Sequence, residues 1–573
     1  MCAIFVTAST WGYAVEKCST IADIRKMVHQ EIPYQFGAIQ EITIVPDQNA
    51  VLLKCGDNPE KVKEFLIGAD QQIIYIYCIR SSGAVSSIGS KLGECIGFFD
   101  QIKGSAAIGI WQREGEKIRV KFQLTNDDDT IIQFYRKLEK TGKFSRRINN
   151  WKTLLDNPEK LFPPLTAEQR VEAFARLWST VKFNFANFDL VPELNWDNVL
   201  SEYLPKVMRE QSNNEYILLL RECIARLKDG HTDVHYTFGD GLPTACPLLK
   251  IQPVDGKAIV MEIADTNETK ASGIKAGDEI THIDGCPVQE VLKKNIYPYI
   301  SASTPQDRDL KAYIGLLCGE VESKVSLTIK TLKGEVRTVS LTRKSNGLAL
   351  LPYKAPHTDL EYRDLGNGLA YVALNSFGSD EIVKAFKEKL KDINKAKALL
   401  IDVRENGGGN SQYGDEIIAC LIDKPVQNTR WKTPQYRAAF RAWGNDEQWF
   451  NGEIDMLKPK TANPFPGPIV VLIGPETASA AEDFVVPLHA AGRIIIVGQK
   501  SAGSTGQPLQ FRFLDGKIAG RVCTRRVQYP DGREFVGVGI IPDVEVGPTP
   551  ADIASGNDVV LEKGLEVLRN KIK

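Results

Sequence analysis

The sequence predicts a multidomain α/β protein, and three observations lead there. Its 573 residues are too many for one ordinary core, so three or four domains are expected. Beyond residue 355, apolar runs ("GLAYVALN", "KALLIDVR", "PIVVLIG", "RIIIVG") alternate with helical stretches, and each ends in a glycine-rich or small-residue turn. Continuous β-branched runs of this kind suit a parallel sheet covered on both faces. Before residue 355 the pattern changes twice, from short strands to helices and back to strands. Apolar content of 43% and charged content of 25% belong to a soluble globular chain. With a net charge of −1, no basic stripe and no zinc-type CxxC pair, neither a nucleic-acid partner nor a metal is expected.

Residues 1–155 read as a β-rich accessory domain. "EITIVPDQNAVLLKC", "QQIIYIYCI", "AAIGIWQ" and "IRVKFQL" are short strand-like runs between turn residues, and none carries a chemical signature. "DNPEKLFPPL" closes this domain as a turn. Residues 160–245 predict three helices. Thr166 with Gln169, and Ser212 with Glu215, form capping boxes, and Gly230 is the expected left-handed cap of the last helix. "HTDVHYTF" then alternates as a strand. Residues 247–345 return to short strands, with tight turns at Gly277-Asp278 and Asp284-Gly285. Within 355–573, "NTRWKTPQYRAAFRAWGNDEQWF" is rich in arginine and aromatics. It fits an excursion that lines a substrate channel or covers a subunit contact, and equally a solvated helical hairpin.

No apolar run reaches the roughly 18 residues that span a bilayer. The start lacks a basic n-region and a long apolar stretch, so the chain is either cytosolic or has had an export signal removed. The eleven cysteines are odd in number, and Cys78, Cys223 and Cys420 sit in apolar runs that suit buried free thiols.

Two stretches offer chemistry. In "GPETASAAEDFVV" (474–486), Ser479 stands among small residues at the expected first turn of a buried helix. Small residues there allow either close helix packing or approach of a substrate to a nucleophile. "LLIDVRENGGGN" (399–410) is a strand running into three glycines. Such a turn is either a flexible loop or a set of bare N–H groups for an oxyanion. Neither GxGxxG nor GxxxxGK[ST] is present, which argues against phosphate binding.

In chain order, "DGHT" (229–232), a PDZ-like insert, "IDVRENGGGN", "GPETASAAE", "VGQKSAGSTGQP" and "GVGIIPDVEV" resemble the C-terminal processing peptidase and tricorn protease family of serine peptidases. The resemblance covers roughly residues 165–550. It implies a crotonase-like (ClpP/crotonase) α/β catalytic core over 355–573. It also implies that 247–345 is a PDZ domain, which captures an extended peptide by strand addition. Ser479 matches the nucleophile, and Ala480 with Gly407 or Gly408 matches the oxyanion donors. The processing-peptidase branch carries its catalytic lysine twenty-five positions after the serine, where this chain has Ser504. That dyad is therefore absent, and Lys500 aligns with a non-catalytic residue. The tricorn-like branch takes a histidine from before the insert, which His231 matches, and imidazole suits the role of base near neutral pH. His235 is a lesser candidate. For the acid that orients the imidazole, Glu534 is the first choice and Asp531 the second, while Asp543 reads as structural. Tricorn protease has a serine where this chain has Gly230, so that subsidiary place is vacant or filled elsewhere.

The expectation is a cofactor-free serine peptidase acting on peptides or proteins through an acyl-enzyme. An extracytoplasmic location is favoured, and assembly into a homo-oligomer is left open. The alternative is a non-catalytic peptide or hydrophobic-ligand binder on the same scaffold.

Overall fold

The computed structural model describes residues 164–236, 245–320, 322–344, 359–446, 448–514 and 516–572, and the backbone of nine strands between Ala14 and Thr125. Two compact units result. In one, Ile39–Val45, Ala50–Cys55, Lys63–Asp70, Ile73–Ile79, Val85–Lys91 and Glu94–Cys95 pair in sequence as an antiparallel meander. Lys117–Thr125 lies between Ala14–Val15 and Ala106–Glu114 in a second antiparallel sheet. The Cys78 side chain lies outside the described residues.

The other unit is multidomain α/β. In its central sheet, Leu360–Asp364 pairs antiparallel with Leu369–Leu374. Ala398–Asp402, Ile469–Ile473, Ile494–Gly498 and Val544–Glu545 then follow in parallel. Every residue of Leu369–Leu374, Ala398–Asp402 and Ile469–Ile473 is buried, because both faces are covered. Val372, Ile401 and Val471 pack with residues of the helices Glu381–Ile393, Ser411–Leu421 and Ala480–Ala490. Their neighbours Tyr371, Leu400 and Val470 face Val559–Lys571 instead. Parallel strands that follow chain order with right-handed crossovers place successive helices on one face. The loops after Ala398–Asp402 and Ile469–Ile473 therefore open side by side at the carboxyl ends of adjacent strands.

Ahead of the sheet come the helices Ala167–Asn184, Trp196–Met208 and Asn213–Ala225, and both expected capping boxes form. The third helix stops at Ala225, and Lys228 (φ 49°) rather than Gly230 takes the left-handed conformation. The helix ends in tight turns, with Leu227 N–H on Ile224 O and Lys228 N–H on Ala225 O, before the glycine is reached. Asp233–Tyr236 then pairs antiparallel with Ile518–Cys523. That pairing draws the turn ahead of Asp233 against the far end of the chain.

Leu249–Val254, Lys257–Ile263, Glu279–Ile283, Lys324–Lys330 and Val336–Thr342 form an antiparallel sheet in that order. Ala312, Tyr313 and Leu316 from the helix Pro305–Gly315 and its end pack into the same core. Gly277, Asp284 and Gly285 have positive φ, as the two predicted turns require. A Cys246–Cys318 disulfide, which the cysteine spacing did not suggest, ties this segment at its base. Cys223 and Cys420 are buried and free, as expected.

The aromatic excursion is a β-hairpin rather than a helical one. Arg430–Gln435 pairs with Gln448–Asn451 and with Arg526–Gln528, and only the short helix Ala438–Ala442 interrupts it. Tyr436, Trp443 and Phe450 are exposed on it. Among the described residues, no helix is long and apolar enough to cross a membrane.

Candidate active site

Ser479 caps the helix Ala480–Ala490 with φ 57° and ψ −125°. A non-glycine residue rarely adopts this backbone, which costs on the order of 1–3 kcal/mol and persists only where the surroundings enforce it. The surroundings here are specific. Ser479 N–H donates to Ser504 O at 2.9 Å and to Glu482 Oε2 at 3.2 Å. Ala478 N–H donates to Asn406 O at 3.1 Å, and Thr477 Oγ1 to Val403 O at 2.8 Å. The two strand-end loops are thereby stitched together.

The glycine turn closes onto the serine. Asn406, fully buried, donates from Nδ2 to Leu374 O at 2.9 Å and accepts Gly408 N–H at 2.9 Å. Gly408 has φ 98°, and a Cβ there would lie 2.6 Å from Ser479 Cβ and 2.9 Å from Ala480 N. Only glycine brings the backbone this close to the serine. The Gly408 N–H is occupied by Asn406, so it does not point at an oxyanion. Of the two glycine alternatives, Gly407 is the one whose N–H Asn406 does not take.

His231 stands in a polar turn. Asp229 Oδ1 accepts His231 N–H at 2.9 Å and the Thr232 hydroxyl at 2.9 Å, while Oδ2 accepts Asn187 Nδ2 at 2.8 Å. The ring is buried, with Nε2 3.0 Å from Ser479 Oγ and Nδ1 2.8 Å from Ser504 Oγ. Burial, then the positive charges of Arg521 and Lys311, push its pKa down to about 3, so the ring is neutral at neutral pH. A neutral imidazole donates from one nitrogen and accepts at the other. With the proton on Nδ1, the ring donates to Ser504 and accepts from Ser479, which is the tautomer a general base needs.

Ser504 reaches the ring because Glu482 orders its loop. This fully buried carboxyl accepts Ser501 Oγ at 2.5 Å, Gly503 N–H at 2.8 Å and Ser504 N–H at 2.9 Å. Burial raises its pKa to about 8, against the pull of these three donors. Neither Asn406 nor Glu482 was singled out from the sequence, and Ser504 stood there only as the place of a missing lysine. Glu482 did have a local signal, since a Glu three residues after a helix-capping Ser is a capping-box pattern.

Glu534, the first choice for the acid, is not at the ring. The turn at Tyr529–Gly532 folds Glu534 back opposite Gln528, where it accepts Gln528 Nε2 at 2.8 Å and Arg526 Nη1 at 3.4 Å. Asp531 is exposed and paired with Arg533 at 2.7 Å. His235 faces Asp233 at 3.8 Å, and Lys500 is exposed. Asp543 accepts Ile496 N–H at 2.8 Å and lies 3.2 Å from His489 Nε2. Among the described residues, no cluster of three or more His, Cys, Asp or Glu is arranged to hold a metal ion.

Comparison with known proteins returns the same scaffold. Residues 368–546 match the model of Peptidase family S41, and residues 166–225 match the tricorn protease C1 domain. A carboxyl-terminal-processing protease of Picosynechococcus sp. is 29% identical over 307 residues, covering 52% of this chain and 64% of that protein. A chloroplastic C-terminal processing peptidase of Tetradesmus obliquus is 24% identical over 300 residues, covering 52% of this chain and 58% of that protein. This chain thus spans less than two thirds of either relative's length. Mature CPAF superposes with a TM-score of 0.57 at 16% identity, over 71% of this chain and 98% of that one, a likeness of fold.

Proposed function

Because residues 368–546 match the model of Peptidase family S41, we propose that this chain is a serine peptidase that hydrolyses peptide bonds through an acyl-enzyme. The observation that carries the proposal is the 3.0 Å approach of His231 Nε2 to Ser479 Oγ at the strained turn. In this reading Ser479 attacks the peptide carbonyl while His231 takes its proton and later gives it to the leaving amine. Ala480 and Gly407 amides stabilise the oxyanion, a role worth about 3–4 kcal/mol per donor elsewhere. Ser504 receives the Nδ1 proton's hydrogen bond, in the place where a carboxylate was expected.

The finer architecture follows the same proposal. The sheet of 369–498 with its three helices on one face supports a crotonase-like core within 355–573. The antiparallel sheet of 249–342 with its helix supports a PDZ-like insert in 247–345 that presents an edge to extended peptides. Residues 160–245 supply the base, and 1–155 are accessory. The Cys246–Cys318 disulfide supports a location outside the reducing cytosol.

The test is labelling by a fluorophosphonate together with peptide hydrolysis. Wild type is expected to label at Ser479. Ser479→Ala and His231→Ala should each lose about 10⁶-fold in kcat, as for another serine protease. A His231→Ala enzyme as fast as wild type would sink the serine–histidine mechanism.

A further inference from the structure

The residue ahead of His231 is Gly230, and three polar groups from distant segments meet where its side chain would be. A Cβ built there would lie 2.6 Å from Ser504 Oγ, 2.9 Å from Asp307 Oδ2 and 3.1 Å from Lys311 Nζ. Asp307 and Lys311 sit one turn apart on the helix Pro305–Gly315, paired at 2.9 Å. Asp307 is buried at 4% exposure and also accepts Ser303 N–H at 3.2 Å. The start of this helix is fastened to both loops that hold the imidazole. Gly230 N–H donates to Ser303 Oγ at 2.9 Å, Thr304 Oγ1 to Ala502 O at 2.8 Å, and Gln306 Nε2 to Ser501 O at 2.9 Å.

The direction of one hydrogen bond then matters. For His231 to act as a base, Nδ1–H must donate to Ser504 Oγ, and the Ser504 hydroxyl must point its own proton away from the ring. That proton needs an acceptor. Lys311 offers only donors, whereas an ionised carboxylate is acceptor-only. If the bond runs the other way, Ser504 donates to Nδ1, the ring proton moves to Nε2, and Ser479 loses its acceptor. The other charged groups around the ring are turned elsewhere. Asp229 holds the backbone of 231 and the Asn187 and Thr232 side chains, while Asp233 and Arg521 hold each other at 2.6 Å.

We infer that Asp307, clamped by Lys311, is a positioning residue that directs the Ser504 hydroxyl away from His231 and so keeps the imidazole in its base-competent tautomer. Asp307 acts across the gap that Gly230 leaves, through the field of its carboxylate. The absent side chain at 230 is thus a requirement, because any Cβ would displace Ser504 Oγ.

The catalytic consequence rests on the serine-peptidase reading, but the tautomer does not, and the experiment reads both. Imidazole ¹⁵N spectra of the full chain, in a Ser479→Ala background without substrate, are expected to show His231 protonated on Nδ1. Adding Asp307→Asn, whose amide can donate to Ser504, should shift the ring toward the Nε2–H tautomer. With Ser479 intact, Asp307→Asn should lower kcat by about 100-fold, within the range for proton transfer. KM should stay within about twofold. Ser504→Ala provides the second variant, and the double variant should be no worse than Ser504→Ala alone. A ring that stays Nδ1–H in Asp307→Asn, or losses that multiply in the double variant, would overturn the inference. A chain that shows the tautomer shift but cleaves no peptide would sink the peptidase reading alone.

Discussion

The two sides of the His231 ring are built on different principles. On the Nε2 side, Ser479, Ala480, Asn406 and Gly408 come from loops at the ends of two paired strands, and the backbone register of the sheet sets their spacing. On the Nδ1 side, Ser504, Gly230 and the start of Pro305–Gly315 come from three separate segments joined by side-chain hydrogen bonds. The nucleophile's place is inherited from a buried sheet, whereas the base's orientation depends on a few single atoms. Damage to the first side should cost reaction geometry. Damage to the second should cost proton placement while leaving substrate binding largely intact.

Short of removing Ser479 or His231 themselves, the largest expected effect breaks the sheet side. Gly408→Ala sets a Cβ 2.6 Å from Ser479 Cβ at φ 98°, so either the turn or the serine must move. A displacement near 1 Å costs about 100-fold in rate, and the strained backbone should cost about 1–3 kcal/mol of stability. Steady-state rates and urea unfolding of the variant check both, and unchanged kcat would show that the serine does not depend on this contact.

A smaller effect concerns charge around the ring. Burial, Arg521 and Lys311 all oppose protonation of His231, so the acid limb of kcat/KM should fall well below the ordinary imidazole value of 6.5. The folded ring takes its proton near 3 and the unfolded one near 6.5. Between these values the unfolded chain binds more protons, so His231 weakens the fold as pH falls through that window. Arg521→Met should move the limb upward by about one unit, since a neighbouring charge is lost. A wild-type limb at 6.5 would contradict the burial of the ring.

The smallest effect separates the two candidate acids. Glu534→Gln, at an exposed position paired with Gln528 and Arg526, should leave kcat within about twofold, as surface substitutions away from a site do. If it matched Asp307→Asn, the carboxylate that matters would belong to the hairpin after all.

The same contrast explains what the sequence disclosed. The runs at 369–374, 398–402 and 469–473 were legible because burial on both faces leaves continuous apolar stretches. Ser479 and His231 were visible through short motifs, although 248 residues separate them. What escaped has no local signature. Gly230 after a helix looks like a left-handed cap, yet its lack of a side chain serves a contact with residues 307 and 504. An aspartate three residues after Thr304 looks like helix capping, and Asp307 N–H does donate to Thr304 Oγ1 at 3.3 Å. Its carboxylate faces the His231 neighbourhood only once the fold has closed. Glu534 was favoured because it lies near a motif in the chain, but the hairpin turn commits it to Arg526 and Gln528.

The Cys246–Cys318 bond gives the segment that carries Asp307 an unusual topology. The two cysteines lie 72 positions apart, and the helix Pro305–Gly315 falls inside the closed loop. The segment is therefore a covalently closed lasso, drawn together at a neck where Ala245 bridges Gly319 and Cys246 bridges Lys344. In a chain-entropy view, a loop of this size removes about 4 kcal/mol of freedom from the unfolded chain. A single backbone cut inside the lasso releases neither fragment. For a cut within the loop, parting Asp307 from His231 takes two chemically different injuries, a cleavage and a reduction.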